Sequence, residues 1–532
     1  MHSCRFEDQN GFFFFAELGA IRRSSARSPR PRCRPFNAFL MLRPSLALRS
    51  LCLLLTLPTL FAQQPEPAAE PGTGLIFDLP SYRGTPYKAT LTAESYASAP
   101  RKASLEQYCP TPGNQGQYGT CVAFAVAYHA RTVLYGAQHG ITDKTQLNAS
   151  VFSPTFIYEQ IKEAGDASCQ KGTNPINALE LMKTSGIARI ATVPYQCGAP
   201  ITSNALLEAV DYTINDYQIL FMPDVTDYDT RVNTVRKSLA EGYPVVHCFT
   251  VVKSFYKAPR IWRSLPTDGG AEGQHGRHAM LIVGYDDDLD GGCFRVLNSW
   301  GPTWADGGYV WIPYTEFVKY SLGAIQVYGP RGSSGHQPAP GVTPGKSAIK
   351  TADYQLSGRL NFRLRDGTAM NAHRIVSNDS TLSAYKMDQS YSSGTRFRFF
   401  VTTNTEAYIY AFATDTTGKV NKILPFEDGM SPLVGPNSTI AFPSEKKVVR
   451  MDEQKGTDYL LVLYTDRPLN VKQVHEKLNA ASGPLLSRLR SALGTRIVDP
   501  AVVKYSANDI AFDVERVAPG GIVPLMVEIT HD

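Results

Sequence analysis

Cysteine runs out early in this chain. Nine occur in 532 residues and none follows Cys293, so whatever folds beyond that point is held without disulfides of its own. Apolar runs are short as well. The stretch at 51–61 is too brief to span a bilayer stably, which excludes stable membrane insertion through it. Net charge is nearly absent: 53 basic residues face 48 acidic ones, for +5. Even that excess is local, because residues 1–50 hold nine arginines against three acids, and the remainder has 44 basic residues against 45 acidic. No general basic surface is left to bind nucleic acid. Histidine and cysteine show no metal-ligand spacing, and no motif calls for a cofactor. Internal repeats and long low-complexity tracts are missing too, which excludes solenoid and fibrous architectures.

What is present divides the chain. From Met41, a basic start, the apolar run 51–61 and a small residue, Ala62, before Gln63-Gln64 have the form of a signal peptide. Residues 1–40 are expected to be a non-native upstream extension, 41–62 the signal, and 63–103 a Pro-rich arm. Residues 104–329 are expected to form a mixed domain. Its first half carries helical patterns at 122–135, 153–164 (Ser153 as cap, Pro154 at the first position) and 175–184. From Val245 the texture turns to strands: VVHCFTVV, AMLIVGY, CFRVLNSW and GYVWI. Helices first and strands second indicate an α+β fold in two subregions. Residues 330–348 read as a linker, and 349–532 as a separate β-rich, sandwich-like domain with one helical insert at 471–493.

Cys121 sits after a glutamine- and glycine-rich turn, NQGQYGT, and opens an Ala/Val helix. A cysteine nucleophile needs a base in contact and something to hold that base. His278 lies just before an apolar strand and Asn298 at the end of the next one, so an antiparallel pairing brings them side by side. Gln115, six residues before Cys121, stands where its amide and the Cys121 N–H can share a developing oxyanion.

With Gln115, Cys121, His278 and Asn298 in this order, residues 104–328 resemble the papain-like cysteine peptidases. The resemblance implies a helical part facing an antiparallel β-barrel-like part, with Cys121 as nucleophile, His278 as base, Asn298 as its orienting partner and Gln115 as oxyanion donor. It also implies Trp300 as a shield over the His–Asn bond, Gly172 as a substrate-backbone contact, and Gly119 as a supporting residue. Tyr118 stands where many members carry a cysteine, so Cys169 loses its usual partner. Cys197 is then the expected partner, and Cys109 the alternative. Arg277 precedes the base, and its charge is expected to move the activity profile to lower pH. The loop 256–276 is long for this fold and is expected to wall the cleft. The stretch 385–465 is similar to a domain of unknown function appended to bacterial secreted proteases, which implies a surface or protein ligand.

Together these features describe an exported cysteine endopeptidase, periplasmic or extracellular, acting on protein or peptide substrates without metal or cofactor. An exopeptidase, a transpeptidase or a catalytically silent peptide-binding protein on the same fold are the alternatives. Export makes one direct prediction: N-terminal sequencing of the exported protein finds a chain beginning at Gln63, and a mature chain still starting at Met1 contradicts it.

Overall fold

A computed structural model of the chain describes residues 6–7, 70–270, 275–330, 354–375 and 384–532. Residues from Glu70 to Asp532 belong to one compact unit; the signal-like segment and the linker fall outside the described residues.

The arm contributes helix α1 (Leu79–Gly84), capped by Asp78, whose carboxylate accepts from the Ser81 N–H. The long helix α2 runs through 121–139 in three consecutive segments, the middle one (Phe124–Arg131) with π-helical spacing. Helix α3 (Pro154–Ile161) starts where Ser153 Oγ accepts from the Phe156 N–H at 3.1 Å. Helix α4 (Pro175–Thr184) is capped by Asn174 in the same way. In both, proline fills the first turn, where its missing N–H costs nothing. Helix α5 (Tyr228–Ala240) follows.

Seven strands build the sheet of this part: β1 (Lys102–Ser104), β2 (Asp216–Phe221), β3 (Val245–Val251), β4 (Gly276–Asp286), β5 (Cys293–Leu297), β6 (Tyr309–Pro313) and β7 (Ser321–Tyr328). Their spatial order is β2-β7-β3-β4-β5-β6, with β1 beside β4, and every pairing is antiparallel. β3 and most of β4 are buried on both faces, which is why they read as unbroken apolar runs. The helices and sheet share one core containing Cys121, Val122, Ala279 and Leu297.

Residues 354–532 form two further sheets. One centres on Tyr354–Leu364 between Arg396–Thr403 and Ile510–Val517. The other centres on Gly456–Thr465 between Ala407–Thr414 and Ile522–His531. Arg396–Thr403 alternates buried and half-buried positions, the period of a strand with one face on a core. The helical insert is two helices rather than one, Val471–Ala480 and Leu485–Leu493. Pro484 lacks an N–H and cannot continue the first helix, so it opens the second. Both pack Leu478, Leu489 and Leu493 against Tyr410, Phe412 and Leu461 on the outer face of the second sheet.

The arm joins these parts. The backbone of Pro86–Lys88 pairs with Ile219 of β2 on one side, and Tyr87 pairs with Gly429 and Ser431 on the other. Ala89 and Leu91 are buried in the C-terminal core. Beneath them, Lys88 Nζ donates to Glu241 Oε2 at 3.0 Å and to Gln326 Oε1 at 2.8 Å, while Ser438 Oγ donates to Glu241 Oε1. Both charged side chains are 2% exposed. Burial lowers the Lys88 pKa, and the Glu241 carboxylate opposes that. Without Lys88, Glu241 keeps only Lys237 Nζ at 3.6 Å and the Ser438 hydroxyl, so Lys88→Met is expected to cost about 1–3 kcal/mol in urea unfolding. A loss within measurement error contradicts the pairing.

Candidate active site

Cys121 is the first residue of α2, after Thr120. The preceding turn is tied down from two sides: Tyr195 Oη donates to the Gln115 carbonyl at 2.9 Å and lies 2.8 Å from Thr120 Oγ1. Gly119 N–H donates to the Cys169 carbonyl at 2.7 Å, and a Cβ there would lie 2.7 Å from the Gln170 carbonyl oxygen. This glycine lets the turn before Cys121 press against the opposite wall.

β4 and β5 pair antiparallel with Leu281 opposite Leu297. That register carries His278, near the start of β4, to Asn298, just past the end of β5. His278 Nε2 donates to Asn298 Oδ1 at 2.7 Å, and the Ser299 N–H donates to the same oxygen at 2.8 Å. An oxygen acceptor places the neutral imidazole's proton on Nε2 and leaves Nδ1 as the basic nitrogen. Nδ1 is buried and makes no hydrogen bond among the described residues. The Trp300 ring lies 4.7 Å from the imidazole and stacks on Tyr256 at 5.2 Å. Tyr256, at the start of the long loop, thus lies against the ring that faces His278; residues 271–274 of that loop lie outside the described residues.

Gln115 is held at both ends of its amide. Oε1 accepts from Ser299 Oγ at 2.6 Å, which directs Nε2 toward the Tyr118 carbonyl at 2.8 Å and the Gly72 carbonyl at 3.1 Å. Gly72 belongs to the arm, and the arm fills the cleft. Gly72 N–H donates to the Gly116 carbonyl, and Trp300 Nε1 donates to Gly72 O at 3.2 Å. Farther along, Thr173 N–H donates to the Gly74 carbonyl at 2.9 Å, Ile76 N–H to the Thr173 carbonyl at 3.0 Å, and Leu75 N–H to the Arg277 carbonyl. Gly172 has φ +84°, and a Cβ on it would lie 2.1 Å from the Gly74 oxygen. Residues 72–76 therefore form a strap bonded to both walls.

Under the strap Gln115, Cys121, His278 and Asn298 are all 0% exposed. Burial pushes the Cys121 thiol up to about 11, against the pull of the Ala279, Gly74 and Val122 backbone N–H groups. Burial also brings His278 down to about 4, with the Asn298 bond opposing it. Both groups are uncharged at neutral pH in this state. The cause is desolvation in both cases, and Arg277, next to His278, is exposed. Cys169 and Cys197 form a disulfide, while Cys109, Cys121, Cys248 and Cys293 are free.

Sequence reasoning did not single out Ser299, Tyr195, Gly72 or Gly74. The two glycines in PGTGL were the available signal, since a backbone that must lie flat against two walls needs them.

Residues 101–327 match the family model of the papain family cysteine proteases, and residues 390–468 that of a Domain of unknown function (DUF4384). An uncharacterized peptidase C1-like protein of Acanthamoeba polyphaga mimivirus is 27% identical over 220 residues, covering 39% of this chain and 66% of its own length. A cathepsin B-like protein of Giardia intestinalis is 29% identical over 204 residues, covering 38% of this chain and 63% of its own. The chain thus spans a little under two thirds of the length of these two relatives. Among solved structures, xylellain, a cysteine protease from Xylella fastidiosa, is 23% identical with a TM-score of 0.40, covering 50% of this chain and 99% of its own.

A Cβ on Gly74 would sit 2.0 Å from the Gly119 carbonyl oxygen, so Gly74→Val is expected to evict the strap. Readmitted water lowers the Cys121 pKa from about 11 toward the ordinary thiol range. More thiolate is then present at neutral pH, and iodoacetamide alkylation of Cys121 is expected to accelerate at least about tenfold. Peptide mapping follows the rate, and an unchanged rate at pH 7 contradicts the strap.

Proposed function

We propose that the papain-family cysteine protease domain at residues 101–327 makes this chain an exported cysteine endopeptidase, with Cys121, His278 and Asn298 as its catalytic triad. The observation that carries this reading is the bond from Gln115 Nε2 to a peptide carbonyl, that of Gly72, in a segment passing over Cys121. A substrate carbonyl in that position meets the nucleophile and the oxyanion donor together.

With the strap displaced, His278 Nδ1 takes the Cys121 proton. The resulting thiolate is favoured by the imidazolium and by the N-terminal end of α2. Sulfur attacks the carbonyl carbon, and the oxyanion is held by Gln115 Nε2 and the Cys121 N–H. The imidazolium protonates the departing amine as the C–N bond breaks, leaving a thioester on Cys121. His278 then takes a proton from water, which attacks the thioester; collapse releases the carboxylic acid and returns the proton to sulfur. Asn298 fixes the ring throughout, and Trp300 keeps water from the His–Asn bond. In the resting chain the strap covers the cleft, and substrate competes with it.

The Cys169–Cys197 disulfide supports an oxidising compartment, and among the described residues no helix is long and apolar enough to cross a membrane. Periplasmic or extracellular placement fits both. The domain of unknown function is read as holding a surface or protein ligand.

Incubating a peptide library with the full chain and its Gly74→Val form tests the activity. Internal cleavage is expected from both and none from Cys121→Ala or His278→Ala; Gln115→Ala is expected to lose about 100- to 1,000-fold in kcat. Products shortened by only one or two residues would make it an exopeptidase, and no cleavage at all a peptide-binding protein.

A further inference from the structure

The wall that meets the strap, residues 162–174, lies between α3 and α4 and has neither helix nor sheet ladder to hold it. It bends through left-handed backbone at Gly165 (φ 80°), Cys169 (φ 54°) and Gly172 (φ 84°), and β-carbon sterics make the second of these costly. Even so, Thr173 must present its N–H and carbonyl at a fixed spacing to bond Gly74 and Ile76. Its conformation has to be imposed from outside.

Two buried side chains impose it. Asp166 and Tyr158 are 2% and 1% exposed, and Tyr158 Oη donates to Asp166 Oδ2 at 2.6 Å. Three successive amides of the wall turn toward this pair: Gln170 N–H to Asp166 Oδ1 at 3.0 Å, Lys171 N–H to Asp166 Oδ2 at 3.4 Å, and Gly172 N–H to Tyr158 Oη at 3.1 Å. Once these amides point inward, the next residue, Thr173, is the first free to bond across the cleft. Burial works to raise the Asp166 pKa, but the bonds from Tyr158, Gln170 and Lys171, with the nearby Lys162 charge, hold it below the ordinary value. The carboxylate therefore stays an acceptor. The disulfide ties Cys169 in the same loop to Cys197, but it fixes a side chain and leaves the orientation of the amides to the pair.

We infer that Asp166 and Tyr158 are positioning residues for peptide binding: they set the backbone of Gly172 and Thr173 so that a peptide in the cleft finds its hydrogen-bond partners. The strap is the peptide seen in this role. The inference rests on reading the cleft as a peptide site, and it separates from catalysis because neither side chain touches the reacting atoms.

Strap and substrate compete for the same wall, so the kinetics belong in the full-length Gly74→Val chain, where the strap is out of the way. There Tyr158→Phe, which keeps the ring and loses one bond, is expected to raise KM about fivefold, and Asp166→Ala about tenfold or more, with kcat within about twofold. Asp166→Asn keeps an acceptor oxygen and is expected to recover part of the loss. In the chain with Gly74 intact, hydrogen exchange of the peptide spanning 70–77 is expected to speed up in Tyr158→Phe and Asp166→Ala, while α4 and β4 keep their protection. KM unchanged, or kcat falling in step with the rise in KM, overturns the positioning role. If no form of the chain cleaves peptides, the enzymatic reading fails, and exchange alone decides the inference: unaltered protection of 70–77 overturns it.

Discussion

Everything at this site depends on keeping one sulfur dry. A buried thiol resists ionising and a buried imidazole resists protonation, so the two functional groups rest as a neutral pair with the Cys121 pKa near 11 and that of His278 near 4. Moving the proton from sulfur to nitrogen creates two charges at once, and it becomes favourable only when water or a polar substrate replaces the strap. The strap's backbone is held by hydrogen bonds to the backbone of Gly116, Thr173 and Arg277 and to the side chains of Gln115 and Trp300. Such bonds each contribute modestly against competition from water or another peptide, so the cover is specific in position and exchangeable in principle.

The rest of the architecture serves that arrangement. α2 presents Cys121 from the helical part, the β4–β5 register presents His278 and Asn298 from the sheet, and the cleft is where the two meet. The arm that supplies the strap does not end there. A few residues later Tyr82 is buried with its hydroxyl on the Phe221 carbonyl, and then Lys88, Ala89 and Leu91 enter the seam and core of the C-terminal part. The segment downstream of the strap is therefore structural, and losing it would open two cores. That distinguishes displacement of 72–76, which withdraws one core side chain, Leu75, from loss of the whole arm.

Much of this was legible in the sequence, and what escaped did so for physical reasons. Gln115, Cys121, His278 and Asn298 stood out because the proposed chemistry demands particular side chains in a particular order, and the apolar runs around them reported β3 to β5 directly. Ser153-Pro154 marked the start of α3 because a cap and a first-turn proline have local causes. Ser299 and Tyr195 carry no such local cause; a hydroxyl's role depends on what folds opposite it, here Gln115 and Thr120. The strap was hidden for a related reason: glycine and proline read alike in a loose linker and in a segment pressed between two walls. The split of 471–493 at Pro484 followed a local rule that the amphipathic pattern on either side had masked.

The central claim is that Cys121 forms a covalent acyl bond with substrate. Mixing the Gly74→Val chain with a slowly hydrolysed ester, quenching in acid and mapping the peptides by mass tests it most directly. The acyl group is expected on the peptide bearing Cys121, and it should fail to form when His278 is replaced by alanine. An adduct on another residue, or turnover of the ester with Cys121 replaced by alanine, would contradict it.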